Sequence, residues 1–168
     1  RCKNGNSILR GYYKKDEANA AAFHPGGWFR TGDVGMRDET GWFYYLGRMK
    51  DMVRRSGENV SAVEVEGGLR AVPGVLEAAV VPIPDDLRGE EVKAYLLLEP
   101  EKTRAEVPPE AVLSHCQENL ARFKIPRYLE YCGEFPRTPS LKIKKSALLA
   151  AKTDLREDSF DRVDGVWR

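Results

Sequence analysis

The sequence has few of the residues that build metal centres and disulfide frameworks. It contains three cysteines and two histidines among 168 residues. Because the cysteines are odd in number and unevenly spaced, they favour a reducing compartment, and we expect a cytoplasmic protein. His24 and His115 have no companions at metal-ligand spacing. We therefore predict no metal site on this chain and interpret both histidines as structural.

Three further absences exclude other classes of protein. No apolar run approaches the length of a membrane span, and the given residues contain no signal-peptide pattern. A net charge of +1 and a pI near 7.9 give no sign of a general nucleic-acid binder. No complete phosphate-binding loop of the G-x-x-x-x-G-K type is present. A content of 42% hydrophobic and 32% charged residues is typical of a soluble globular protein.

The start of the chain indicates a piece of a larger protein. The first residue is Arg1, and Ile8–Tyr13 already has the composition of a strand and turn. We therefore expect that further chain precedes this sequence.

The pattern of elements predicts an α+β fold. Short strands and one helix precede residues 46–66, and longer strands alternate with helices after them. Ser61-Ala62-Val63-Glu64 has the S-x-x-E pattern of a helix capping box. The order of helix, two strands, helix and strand favours a two-layer, helix-on-sheet domain with an antiparallel strand pair. The tail from Thr153 is polar, and we predict it to be loose.

Three short motifs carry groups suited to a nucleotide or a carboxylate. Asp33, after Thr31-Gly32, can accept hydrogen bonds from two hydroxyl groups, and Arg48 offers a fork for phosphate oxygens. The segment 136–145 is a proline-punctuated loop that ends in lysines, one of which can place a charge on a phosphate or carboxylate. Taken singly, each motif more often marks a turn aspartate, a surface arginine or a basic surface loop.

Together, four segments in order are more specific. They are GWFRTGD at 27–33, GWFYYLGRMKD at 41–51, SGENVSAVEVE at 56–66 and PRTPSLKIKK at 136–145. This set resembles the C-terminal part of the adenylate-forming, AMP-binding enzymes. Within that superfamily, the chain is most similar to acyl-CoA ligases of the crotonobetaine/carnitine–CoA ligase kind. The resemblance covers residues 8–148.

The resemblance implies a domain organisation and a reaction. Residues 1–47 correspond to the end of a large N-terminal domain, its β-barrel part, residues 48–50 to a hinge, and residues 51–168 to a small mobile domain. ATP and a carboxylic acid give an acyl-adenylate and pyrophosphate, and CoA then displaces AMP. The absent N-terminal domain is the expected partner and holds most of the ATP, with Mg²⁺. Without that domain, we expect the chain to be inactive. We expect neither a nucleic-acid partner nor a membrane span.

The resemblance also implies roles for individual residues. Asp33 and Arg48 bind the nucleotide, Lys50 is the hinge, and Lys142 is the adenylation lysine. The CoA-binding positions are Ser56, Gly57, Glu58, Phe123 and Lys124, with glycine beside the narrow pantetheine arm and the last two at the CoA nucleotide.

One departure leaves the adenylation lysine open. The residue before that lysine is usually glycine in this family, and here it is Leu141. Lys144 and Lys145 therefore stay alternatives, although the spacing from Pro136 favours Lys142. Two other functions also stay open: a peptide-synthetase adenylation domain that loads a carrier protein, and a non-catalytic module that binds CoA or a nucleotide.

Overall fold

The chain divides into two compact units. The computed structural model describes residues 2–3, by their backbone, and residues 8–168; the side chain of Cys2 lies outside the described residues. The units are Arg1–Lys50 and Asp51–Arg168. No helix among the described residues is long and apolar enough to cross a membrane.

The described part of the first unit contains one helix and two small sheets. Its elements are β1 Cys2–Lys3, α1 Asp16–Ala22, β2 Phe23–His24, β3 Trp28–Phe29, β4 Asp33–Arg37 and β5 Phe43–Arg48. The sheet order is β1-β3-β2 in the first sheet, and β4 pairs with β5 in the second. The assignment of this unit to the barrel of a larger domain stays a prediction.

The predicted strand at Ile8–Tyr13 is wrong, because residues 8–15 contain no strand. The side chain of Asn19 instead hydrogen-bonds to both backbone polar groups of Tyr12. Its Oδ1 accepts from the Tyr12 N–H at 2.6 Å, and its Nδ2 donates to the Tyr12 carbonyl at 2.9 Å. These are the groups that a neighbouring strand would need.

The second unit is a seven-stranded mixed sheet with helices on it. Its elements are β6 Met52–Arg55, β7 Glu58–Ser61, α2 Ala62–Arg70, β8 Val75–Asp85, β9 Gly89–Leu98, α3 Pro109–Asn119, β10 Tyr128–Tyr131, α4 Lys145–Ala150, β11 Phe160–Asp161 and β12 Val166–Trp167. The strands β8 and β9 form the predicted antiparallel pair, and β10 runs parallel to β9. The α+β, helix-on-sheet class is therefore confirmed.

Both faces of this sheet are covered, because residues of β8 and β9 alternate between two cores. Val80 and Ala94 face a core that contains residues of α2 and α3. Val81 and Tyr95 face a second core that includes Phe135 and a residue of α4. The second core adds a layer that the two-layer prediction did not include.

Helix α2 begins and packs as its sequence predicts, with one exception. Ser61 Oγ accepts from the Glu64 N–H at 3.3 Å, as in a capping box. Gly67 and Gly68 weaken the helix by about 1 kcal/mol each relative to alanine. A methyl group on Gly68 would lie 3.3 Å from the Leu120 side chain, whereas one on Gly67 would meet no atom within 4 Å. Only Gly68 is therefore explained by close packing.

The prediction of a loose tail after Thr153 is wrong. The strands β11 and β12 form a hairpin, and β11 pairs with β10. The carboxylate of Asp161 is buried and pairs with Arg127 at 3.2 Å and with the final residue, Arg168, at 2.7 Å. Trp167 packs edge-on against Phe160, with ring centroids 5.7 Å apart. Ion pairs and aromatic contacts thus order a polar segment.

Candidate functional site

Asp33 and Arg48 meet across the β4–β5 hairpin. Their backbones are register partners, and Arg48 Nε lies 2.9 Å from Asp33 Oδ1. A second Arg48 nitrogen donates to the Thr31 carbonyl at 3.3 Å. The side chains are 35% and 53% exposed for the aspartate and arginine respectively. An accessible carboxylate beside a guanidinium suits a ribose diol next to a phosphate.

Lys50 lies where the two compact units join in sequence. It is the middle residue of a short 3₁₀ turn, Met49–Asp51, and its side chain is exposed. The first unit ends at Lys50 and the second begins at Asp51. Among the described residues, no carboxylate pairs with Lys50. The position suits a pivot, and the hinge role stays a prediction.

Ser56 and Gly57 form the two-residue turn between β6 and β7. Their φ angles are 51° and 85°, which is the left-handed pair of a type I′ hairpin turn. A methyl group on Gly57 would meet no described atom within 4 Å, and Ser56, Gly57 and Glu58 are all exposed. The turn therefore presents its backbone to any ligand that approaches it.

A buried ion cluster holds this turn in place. Glu91, on β9, is fully buried, and its Oε2 accepts from Arg55 Nε at 2.7 Å. Arg88 Nε lies 3.1 Å from Glu91 Oε1, out of line for a hydrogen bond. The Arg88 carbonyl accepts from the Ser56 N–H at 2.9 Å. Sequence reasoning missed this cluster, although its signal was the pair of glutamates, Glu90 and Glu91, at the start of a largely apolar strand.

Phe123 and Lys124 lie on a 3₁₀ turn, Arg122–Lys124, and are partly buried. Arg55 connects them to the hairpin, since its Nη1 donates to the Phe123 carbonyl at 3.4 Å. Lys124 Nζ lies 2.5 Å from Glu64 Oε1 and 5.6 Å from the Phe123 ring centre. The structure thus brings the predicted CoA residues to one side of the second unit. An incoming phosphate would compete with Glu64 for the lysine.

Lys142 lies in a tight loop between Thr138 and Ile143. The Thr138 N–H donates to the Lys142 carbonyl at 2.8 Å, and the Leu141 N–H donates to the Thr138 carbonyl at 2.9 Å. Leu141 has a φ of 63°, in the region that glycine tolerates best. This position therefore favours glycine, and leucine adopts the left-handed conformation here. The Lys142 side chain is exposed and has no ion-pair partner among the described residues.

The two alternative lysines differ from each other. Lys145 begins α4 and pairs with Glu66 of α2, with Nζ 2.7 Å from Oε1. The same Glu66 oxygen accepts from the Val80 N–H at 2.8 Å. The ammonium group of Lys145 is therefore part of a structural ion pair between α4 and α2. Lys144 is exposed, so it stays an alternative to Lys142 as the adenylation lysine.

The cysteines and histidines show no catalytic arrangement in the described part of the chain. Burial raises the pKa of Cys116 and of Cys132 to about 11, so neither thiol is ionised at neutral pH. His24 Nδ1 lies 3.0 Å from Arg30 Nη2. Within residues 8–168, no group of three or more histidine, cysteine or acidic residues is placed to hold a metal ion.

The second unit is a small α+β domain that begins after Lys50, and one of its loops presents the exposed Lys142. Residues 64–142 match the family described as the AMP-binding enzyme C-terminal domain. The predicted resemblance to the C-terminal part of AMP-binding enzymes is therefore confirmed over these residues.

Individual relatives are CoA ligases by name. The chain is 42% identical over 144 residues to a crotonobetaine/carnitine–CoA ligase from Salmonella arizonae, covering 86% of this chain and 27% of the relative. It is 40% identical over 145 residues to a sulfoacetate–CoA ligase from Cupriavidus necator, covering 86% and 28%. The ATP-bound structure of MatB from Rhodopseudomonas palustris matches with a TM-score of 0.80 and 33% identity, covering 90% of this chain and 30% of that one. The chain thus spans about a quarter to a third of its relatives' length.

Proposed function

We propose that this chain works as the C-terminal part of an ATP-dependent acid–CoA ligase. The observation that carries the proposal is the match, at about 40% identity, to proteins named as CoA ligases for two different acids. The same match favours free CoA over a carrier protein as the acceptor. Because relatives named for two different acids match the same part of this chain, we infer that the acid is selected by residues beyond it.

The proposed reaction has two half-reactions. A carboxylate oxygen attacks the α-phosphorus of ATP, which releases pyrophosphate and leaves an acyl-adenylate. The CoA sulfur then attacks the acyl carbon, its proton is lost, and AMP leaves with the electron pair of the broken C–O bond. ATP and Mg²⁺ are held mainly by the absent N-terminal domain, and Asp33 and Arg48 contribute at the ribose and phosphate.

Lys142 serves the first half-reaction. Its ammonium group lies where negative charge accumulates between the carboxylate and the α-phosphate, and a fixed charge at that position lowers the barrier. The exposed side chain, which has no carboxylate partner within residues 8–168, supports this role. The Ser56-Gly57 turn with Phe123 and Lys124 serves the second half-reaction, and Lys50 is the pivot between the two.

The test of the Lys142 role separates the half-reactions in the full-length enzyme. Lys142→Ala should lower ATP–pyrophosphate exchange about 100-fold or more, and it should spare CoA-thioester formation from a supplied acyl-adenylate. Lys144→Ala, an exposed neighbour with the same charge change, is the matched control and should keep both rates. Equal loss of both half-reactions in Lys142→Ala, or a swap of phenotype with Lys144→Ala, would contradict the assignment. The 168-residue chain alone should form no acyl-CoA.

The test of the pivot uses backbone chemistry. Proline fixes φ and removes the backbone N–H, so Lys50→Pro should block the rotation between half-reactions. Overall acyl-CoA formation should fall while acyl-adenylate formation persists, and Lys50→Ala should turn over normally. Unchanged turnover in Lys50→Pro would remove the hinge assignment.

A further inference from the structure

The loop that carries Lys142 adopts a conformation that its own sequence disfavours. Leu141 has a φ of 63°, and a residue with a side chain is about tenfold less populated there than in the right-handed region. Its side chain is 75% exposed, so burial of the leucine does not offset the strain. The bonds of Thr138 close the turn from within, and a contact from outside the turn can add to them.

Arg137 makes that contact. One nitrogen of its guanidinium, Nη1, donates to the Leu141 carbonyl at 3.1 Å. The other, Nη2, lies 2.6 Å from Glu77 Oε1 on β8. The planar guanidinium thus joins the strained residue directly to a strand of the sheet, with both bonds charge-assisted.

The rest of the loop is consistent with a clamp at this point. Arg137 and Ile143 form an antiparallel bridge, and the Lys144 N–H donates to the Pro136 carbonyl at 2.7 Å. These bonds close the base of the loop, whereas Leu141 and Lys142 are at its tip. The guanidinium of Arg137 reaches from the base of the loop to its tip and to β8.

We propose that Arg137 is the positioning residue for Lys142, and that its bridge to Glu77 fixes the left-handed turn which Leu141 resists. This inference rests on the proposed function of Lys142. Arg137 itself touches no substrate. Its effect is to keep the lysine in the one loop conformation that serves the adenylation half-reaction.

The first test reads the loop without activity. In the 168-residue chain, the Lys142 N–H donates to Thr138 Oγ1 at 3.2 Å, so its hydrogen-exchange protection factor reports the turn. Arg137→Gln should lower this protection about tenfold, and Arg137→Lys should lower it less. Arg70→Gln removes the same charge from an exposed helical site and should leave protection unchanged.

A rescue variant separates strain from general damage. Glycine takes a φ of 63° without penalty, so Leu141→Gly added to Arg137→Gln should recover at least threefold of the lost protection. Unchanged protection in Arg137→Gln would overturn the proposal. A loss that glycine does not rescue would also overturn it, since the arginine would then act other than by holding the turn.

The second test measures the half-reactions in the full-length enzyme. Arg137→Gln should lower the kcat of ATP–pyrophosphate exchange about tenfold with KM unchanged, and it should spare thioester formation from acyl-adenylate. Leu141→Gly should restore part of the exchange. Equal loss in both half-reactions would refute a positioning role. If Lys142→Ala leaves ATP–pyrophosphate exchange intact, the proposed role of Lys142 is wrong. The hydrogen-exchange protection factors still decide separately whether Arg137 holds the turn.

Discussion

The buried carboxylate of Asp161 should make a measurable contribution to stability. Burial opposes its ionisation, but hydrogen bonds from Arg127 and Arg168 outweigh that effect and lower the pKa of Asp161 from 3.8 to about 2. At about 1.36 kcal/mol per pH unit, this difference corresponds to about 2.5 kcal/mol of stability at neutral pH. Asp161→Asn keeps the shape of the side chain and removes the charge, so it should cost about this amount.

The sign of the pH dependence follows from the lowered pKa. Since the native carboxyl is more acidic than the unfolded one, its contribution is complete above about pH 4 and is lost as the pH falls towards about 2. The stability difference between the parent and Asp161→Asn should shrink over that window. Urea unfolding followed by far-ultraviolet circular dichroism, from pH 7 downwards, measures both quantities.

Asp164 provides the matched control. It also pairs with Arg168, but its side chain is 47% exposed, and exposed pairs contribute about 0–1 kcal/mol. Asp164→Asn should therefore shift the urea midpoint only slightly at neutral pH. The reasoning is refuted if Asp161→Asn unfolds at the same urea concentration as Asp164→Asn, or if its deficit persists unchanged at low pH.

Two further predictions concern the second unit. Gly67→Ala should stabilise the chain by about 1 kcal/mol in the same unfolding assay. Gly68→Ala should stabilise it less or destabilise it, because the new methyl group would lie 3.3 Å from the Leu120 side chain. Equal gains would show that the Leu120 side chain moves aside at no cost. Glu91→Gln should lower the free energy of unfolding by about 3–5 kcal/mol, because the buried Arg55 loses its charge partner. If the full-length Glu91→Gln variant folds, it should form the CoA thioester poorly and retain ATP–pyrophosphate exchange. An unchanged urea midpoint in Glu91→Gln would show that the Glu91 ion cluster does not hold the Ser56 turn.

Local periodicity was enough to predict most elements of the second unit. The apolar runs of β8 and β9, the capping residue Ser61 and the proline at the start of α3 each act within a few residues. Their effects are therefore visible in a single sequence. The family motifs supplied the candidate residues, which periodicity alone would have left as surface charges.

Contacts between residues far apart in sequence were not predictable in the same way. Arg137 and Glu77 are 60 positions apart, as are Lys124 and Glu64, and no local pattern identifies such partners. The same reason explains the tail, where the polar segment is ordered in part by the pairing of Asp161 with the distant Arg127. Helix and strand patterns report local preference, whereas these ion pairs depend on the completed sheet.

The path of the Lys142 loop has a consequence for the solubility of the second unit. Strand β8 pairs with β9 alone among the described strands, so its other side has backbone groups that another chain's strand could bind. Glu66 occupies one of these groups, the Val80 N–H, and the ion pairs Glu66–Lys145 and Glu77–Arg137 fasten the loop to residues beside that strand and on it. We therefore expect the loop to hinder edge-to-edge pairing of β8 with another chain. Variants that release it should be checked for self-association before a loss of activity is attributed to the lysine.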